Sequence, residues 1–178
     1  METNPHAPAA PSVEPAPAAP ELAAAAAAPA ARSDNTPTLQ VRRPHDWPER
    51  LRTFLEARET APFDWATHNC CLFAADWVRE LTGIDPAAKY RDQVKTEEDA
   101  KALLAKKGGV LGLIKRTAKA HGWEEVPRHY AQRGDLILFD GPLGKTLGIC
   151  TGPSFAAAAP DSLTHIDMKH ALRAWRIA

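Results

Sequence analysis

Apolar residues recur along this chain in two rhythms, and the change from one to the other falls near Arg133. Before that point they return every three or four residues, the period of a helix with one buried face. After it they come as short runs between turn residues, the pattern of strands. Asp46 with Glu49 three residues on, Pro48 in the first turn and Leu51, Phe54 and Leu55 at helical spacing predict a helix from about Trp47 to Arg58. Pro62 to Trp65 reads as a loop. Asn69 is placed to cap a second helix with Leu72, Phe73, Trp77, Val78 and Leu81 on one side, stopped by Gly83. Thr96 followed by Glu97, Glu98 and Asp99 opens a third helix that ends at Gly108 and Gly109. Val110 to Ala120 makes a fourth, which runs out at His121 and Gly122.

Strands are expected at Asp135–Phe139, Leu147–Thr151, Ser154–Ala158, Leu163–Met168 and Ala174–Ile177, with a glycine-proline turn at 141–144. Joined by short turns, they read as an antiparallel meander. Helices first and such a sheet afterwards define an α+β domain, with N-terminal helices packed on a small antiparallel sheet and helix two laid across it.

Composition divides the 178 residues into two parts. Residues 1–40 hold 14 Ala and 8 of the 16 Pro, and no aromatic residue. Such a stretch buries too little apolar surface to offset its ordering entropy, so it is expected to be a disordered Ala/Pro-rich arm. The start METNPHAP carries no Lys or Arg and prolines interrupt the apolar stretch, against a secretory signal. All five Trp and all five Phe fall in the remainder, so residues 41–178 are read as one folded domain. The 22 basic and 22 acidic side chains balance, which argues against nucleic acid as the main partner. No uninterrupted apolar run reaches membrane-spanning length. Six basic residues with no acid lie between Lys101 and Lys119, which reads as a solvated helix face or as a docking surface for an acidic partner.

The candidate chemistry is a thiol. Cys70 follows the Asn69 cap directly, where unpaired N–H groups and the helix dipole favour a thiolate, as a cysteine nucleophile requires. The competing reading makes Cys70 and Cys71 small buried residues. His68, Cys70 and Cys71 offer metal-ligand types, but adjacent cysteines lack zinc-knuckle spacing and the third cysteine is far along the chain, so no metal is expected. Phosphate-loop spacing is absent too, and no cofactor is expected.

The series Phe63-Asp64-Trp65, Asn69-Cys70-Cys71-Leu72-Phe73, Arg133-Gly134-Asp135-Leu136 and Thr146-Leu147-Gly148-Ile149 resembles the NlpC/p60 family of papain-like cell-wall cysteine peptidases. The resemblance implies an NlpC/papain-like fold, Cys70 at the nucleophile position and Gly134-Asp135 at the turn into the first central strand. Thr146 stands where that family has its catalytic histidine, and Ser154–Ala158 supplies only Ala where a third polar residue orients it. Threonine is no base near neutral pH, so the scaffold is expected without its chemistry. His68, His121, His129 and His170 are further imidazoles of the domain, and His165, in mid-strand, is the alternative base. Trp65, Asn69, Trp77 and Asp135 are candidate binding residues around the cleft.

Trp47-Pro48-Glu49-Arg50-Leu51, Cys70 to Asp76 and Ala174 to Ile177 resemble, more narrowly, small NlpC-like proteins of phage and prophage tail modules. The expected role is then a tail-associated structural or binding protein, a pseudoenzyme. Its partners would be other tail proteins, with peptidoglycan as a second candidate, and its place the virion tail, or the bacterial cytoplasm before assembly. The alternative is an active peptidoglycan peptidase or amidase using Cys70 and a relocated histidine. A third class is an interaction module whose arm folds on a partner.

Overall fold

A computed structural model describes residues 42–178. The expected arm lies outside the described residues. Four helices come first: α1 (Trp47–Glu56), α2 (Cys70–Thr82), α3 (Glu97–Lys106) and α4 (Gly109–His121). Six strands follow: β1 (Glu124–Val126), β2 (Leu136–Gly141), β3 (Gly144–Cys150), β4 (Ser154–Ala158), β5 (Leu163–Asp167) and β6 (Ala171–Arg176). The domain is α+β, a mixture of helices and one antiparallel sheet. No helix among the described residues is long and apolar enough to cross a membrane.

Local chemistry sets most helix ends. Asn69 is extended, and its Oδ1 accepts from Cys71 N and Leu72 N, while Gly83 closes α2 in the left-handed conformation (φ 75°). Thr96 and Asp99 form a reciprocal capping box at α3. Asp46 departs from its expected capping role. Its φ/ψ of −89°/12° turns the carboxylate away from the helix N–H groups, and Oδ1 accepts instead from Arg50 Nε at 3.0 Å.

The sheet runs in the order β1-β6-β2-β3-β4-β5. The meander expectation holds for β2 to β5, but β6 does not extend it. It returns to pair with β2, placing Ala174 opposite Ile137, and β1, which the sequence pattern had not indicated, pairs with β6 in turn. A reason lies in the burial of β2. Leu136 to Phe139 are all buried, so both faces and both edges of this strand need cover. On β5 only Leu163 is buried, Thr164 and Ile166 are half-buried and His165 and Asp167 are exposed, as suits an edge.

Each sheet face carries its own core. Leu136, Leu138, Leu147, Ile149, Ala156 and Trp175 pack with Phe54, Phe73, Trp77 and Ile114 of the helices. On the opposite face Ile137, Phe139, Cys150, Phe155 and Ala174 form a second cluster, with the Phe139 and Phe155 rings 4.8 Å apart. Gly148 permits this. A Cβ there would lie 2.7 Å from Ala156 O and 2.9 Å from the Phe155 ring, so any side chain would push β4 away.

Candidate functional site

The loop before α2 is tightly self-bonded, and that rigidity fixes where the helix starts. Asp64 and His68 exchange backbone hydrogen bonds, and Asp64 Oδ1 accepts from Ala66 N, Thr67 N and Thr67 Oγ1. Asn69 Nδ2 donates to Trp65 O at 2.8 Å while its Oδ1 caps the helix. Asn69 is thus a positioning residue, and it holds Cys70 in the first turn.

The Cys70 sulfur faces the sheet at β3. Cys150 N–H donates to Asp135 O on the β2 side at 2.8 Å, so ladder alternation turns the Leu147 N–H to the opposite edge. There β4 pairs with β3 only at Ile149 and Cys150, and the Leu147 N–H is left to point at Cys70. The Cys71 thiol hydrogen-bonds the same sulfur. These bonds, with the Cys71 and Cys70 N–H groups, outweigh burial and lower the Cys70 pKa to about 7. Cys71, the donor of the pair, is pushed well above the ordinary thiol range by that bond and by burial.

Beside Cys70 lies a cavity of about 100 Å³, bounded by α2, α3, α4, the 86–94 segment, Leu136 of β2 and Leu147 of β3. Its walls are almost wholly apolar, and Trp65, Asn69, Cys70 and Cys71 form one end. Space of this size within a core costs on the order of 2 kcal/mol. Cys70 is half-buried.

Of the residues singled out in the sequence, Trp65, Asn69, Cys70 and Cys71 come together here; Thr146, His165, Trp77 and Asp135 do not. Thr146, at the position the resemblance gives to a base, pairs opposite Phe139 and so lies on the far face of the sheet from Cys70. Its Oγ1 donates to Gly144 O at 3.0 Å. His165 does lie on the helix side, opposite Ala156, but on the edge strand β5. That is two strands from β3, roughly 10 Å across the sheet. It is exposed, with Nε2 3.8 Å from Glu59.

His121 stacks on Trp123 and His129 lies against Tyr130, both exposed, and His170 is exposed as well. His68 packs edge-on against Phe73, its pKa lowered by burial and by Arg58. None of these imidazoles is a leading cause of the lowered Cys70 pKa.

Trp77 is fully buried, and its Nε1 donates to Gly134 O at 2.8 Å. It corrects the expectation of a ligand platform, because no face of the ring is open. Asp135 is also fully enclosed. Arg43 pairs with its Oδ1, Gln132 N donates to its Oδ2 at 2.8 Å, and Arg176 Nε lies 3.6 Å away, an ionic rather than a hydrogen-bonded distance. Burial raises the Asp135 pKa, with Gln132, Arg43 and Arg176 opposing. Arg43 also donates to Ile177 O at 3.2 Å and Arg133 O at 2.5 Å, so the cluster ties the start of the domain to its end. It is a clamp.

Sequence reasoning missed Leu147 and Arg43. Leu147 acts through its backbone, which no side-chain motif reveals, and Arg43 meets Asp135 across 92 positions of sequence. Among the described residues no cluster of three or more metal-ligand side chains occurs.

These features define a class: an α+β domain that carries a lowered-pKa cysteine at a helix head, faced by a strand N–H and an apolar cavity. A family model described as a domain of unknown function (DUF6950) matches residues 42–177, and the chain belongs to that family. No curated protein matches the chain.

Proposed function

We propose that this protein is a noncatalytic member of the NlpC-like scaffold, serving as a structural or binding component of a phage or prophage tail. The observation that carries this reading is the surroundings of Cys70. Its sulfur is met by the Leu147 N–H, the Cys71 thiol and apolar walls, while Thr146 lies on the far face of the sheet and His165 on the edge strand beside Glu59. A peptidase needs a base both to deliver a proton to the leaving amine and to activate water afterwards. The resemblance of the Cys70, Gly134-Asp135 and Thr146–Ile149 segments to NlpC/p60 proteins supports the scaffold, and that of Trp47–Leu51 and Ala174–Ile177 the tail setting. Other tail proteins are then the partners, and peptidoglycan is a ligand to be held rather than cut.

The test uses the full chain with and without Cys70→Ala. Both forms should support tail assembly equally, and neither should release peptides from purified peptidoglycan. Peptide release by the natural protein, abolished by Cys70→Ala, would overturn the reading in favour of a cell-wall peptidase.

A further inference from the structure

A second space in the domain is charged where the first is apolar. It is a cleft of about 420 Å³ between the 86–94 segment and one face of α3, with Lys89, Tyr90, Gln93, Asp99, Lys106 and Lys107 among its walls. Tyr90 and Leu103 line both spaces and so part them.

Three ammonium groups converge on this cleft. Lysines at the end of a helix complement its dipole, which accounts for Lys106 and Lys107. It does not account for Lys89, which arrives from a different segment. Lys89 Nζ lies 5.0 Å and Lys107 Nζ 5.8 Å from the centre of the Tyr90 ring, so the two charges are no more than about 11 Å apart, the sum of those distances. The electron-rich ring draws both toward it.

Little within the protein answers this charge. Lys101, Lys145 and Lys169 each have a carboxylate partner, whereas Lys89, Lys106 and Lys107 have none among the described residues. Asp99 is the one carboxylate lining the cleft, and its Oδ2 already accepts from Lys95 N and Thr96 N at the head of α3. Lys107 is half-buried, which makes an unanswered charge there the costliest of the three. The frame beneath is nonetheless fixed. Arg91 donates to Asp85 Oδ2 and Asp76 Oδ1, each at 2.6 Å, and pins the segment that carries Lys89 to α2. Arg116 of α4 donates to Lys107 O and holds the end of α3. A ligand would therefore order little backbone on binding.

We propose that this cleft is an anion site that binds a chain of two or three linked phosphates through Lys89, Lys106 and Lys107. It lies apart from Cys70 and stands whether or not that cysteine cuts. Ammonium groups are point charges with three donors each, suited to tetrahedral phosphate oxygens, whereas flat carboxylates favour the arginine fork, and no arginine lines the cleft. Charges spread over two segments suit an anion with more than one charged centre. The Tyr90 ring is engaged by lysines, so it holds the ammonium groups and does not stack on a base.

The test is calorimetric titration of the full chain with inorganic tripolyphosphate near neutral pH and at low salt. One site is expected, with a Kd below about 1 mM. Lys89→Gln and Lys107→Gln should each weaken it about tenfold, the loss of one charge-assisted hydrogen bond. Lys119→Gln removes the same charge from α4, outside the cleft, and should change the affinity less than about twofold. ATP separates the sources of phosphate: affinity equal to that of tripolyphosphate means that a nucleotide's phosphates are admitted, and no ATP binding means that the free oligophosphate is the ligand. ATP at least about tenfold tighter would overturn the reading, because the nucleoside would then be recognised. No tripolyphosphate binding at about 1 mM, or an equal loss with Lys119→Gln, would overturn it too. So would citrate or a hexaglutamate peptide binding as tightly as tripolyphosphate, the latter pointing to an acidic protein partner.

Discussion

Two polar sites lie on either side of β2, and they are built on opposite plans. At the Asp135 clamp a fully buried carboxylate receives Arg43, Gln132 N–H and Arg176, and protein atoms fill its surroundings. At Cys70 a half-buried thiol receives two kinds of donor and opens on a cavity. The first arrangement uses charge to join distant pieces of chain. The second holds a thiol whose pKa is lowered to about 7 and keeps room beside it. A buried polar group whose partners are complete argues for architecture, whereas a reactive group beside unfilled apolar space argues for a ligand.

The largest effect expected from breaking this contrast is at the clamp. Asp135→Ala leaves two guanidinium groups and an amide without their shared acceptor, and should cost about 3–5 kcal/mol of stability in urea unfolding. A loss below about 1 kcal/mol would mean that water replaces the carboxylate and that the clamp is ornamental. Asn69→Ala comes next, since it removes the acceptor for Cys71 N and Leu72 N. It should cost about 1 kcal/mol and, by loosening the first turn, raise the pH midpoint of Cys70 alkylation. A stability loss with an unchanged midpoint would separate the cap from the sulfur.

The smallest change in stability belongs to the thiol pair itself. In the natural protein Cys70 should alkylate with a midpoint of about 7, while Cys71 and Cys150, both raised, react only at higher pH. Cys71→Ala should move the Cys70 midpoint toward the free-thiol value of about 8.5. The stability consequence has a definite sign. A thiol whose pKa is lowered by folding contributes stability that is fully present above about pH 8.5 and is lost as pH falls through 7. Compared with Cys70→Ser, the natural protein should therefore gain stability as pH rises from 7 to 8.5. A pH-independent difference would show that the sulfur is not held as a thiolate.

Much of the helical half was legible because its signals are local. Asn69 and Gly83 bracket α2, and Thr96 with Asp99 starts α3, through bonds that span only a few residues. Asp46 shows the limit of that logic. The capping pattern was present, but Arg50 one turn later took the carboxylate, and sequence spacing cannot rank the two acceptors. At the site, the cysteine and its cap could be read from position in the helix. The sides on which Thr146 and His165 lie could not, because a strand's alternation is known before its register is.

The sequence by itself determined an α+β domain, the ends of its principal helices and a thiol at a helix head, all consequences of periodicity and short-range hydrogen bonding. Tertiary structure alone decided that β6 returns to β2, that Arg43 and Asp135 meet, and that Leu147 presents its N–H to Cys70. Those outcomes depend on which distant segments satisfy each other's backbone and bury each other's apolar faces. Such pairing is a property of the whole folded chain, not of any window along it.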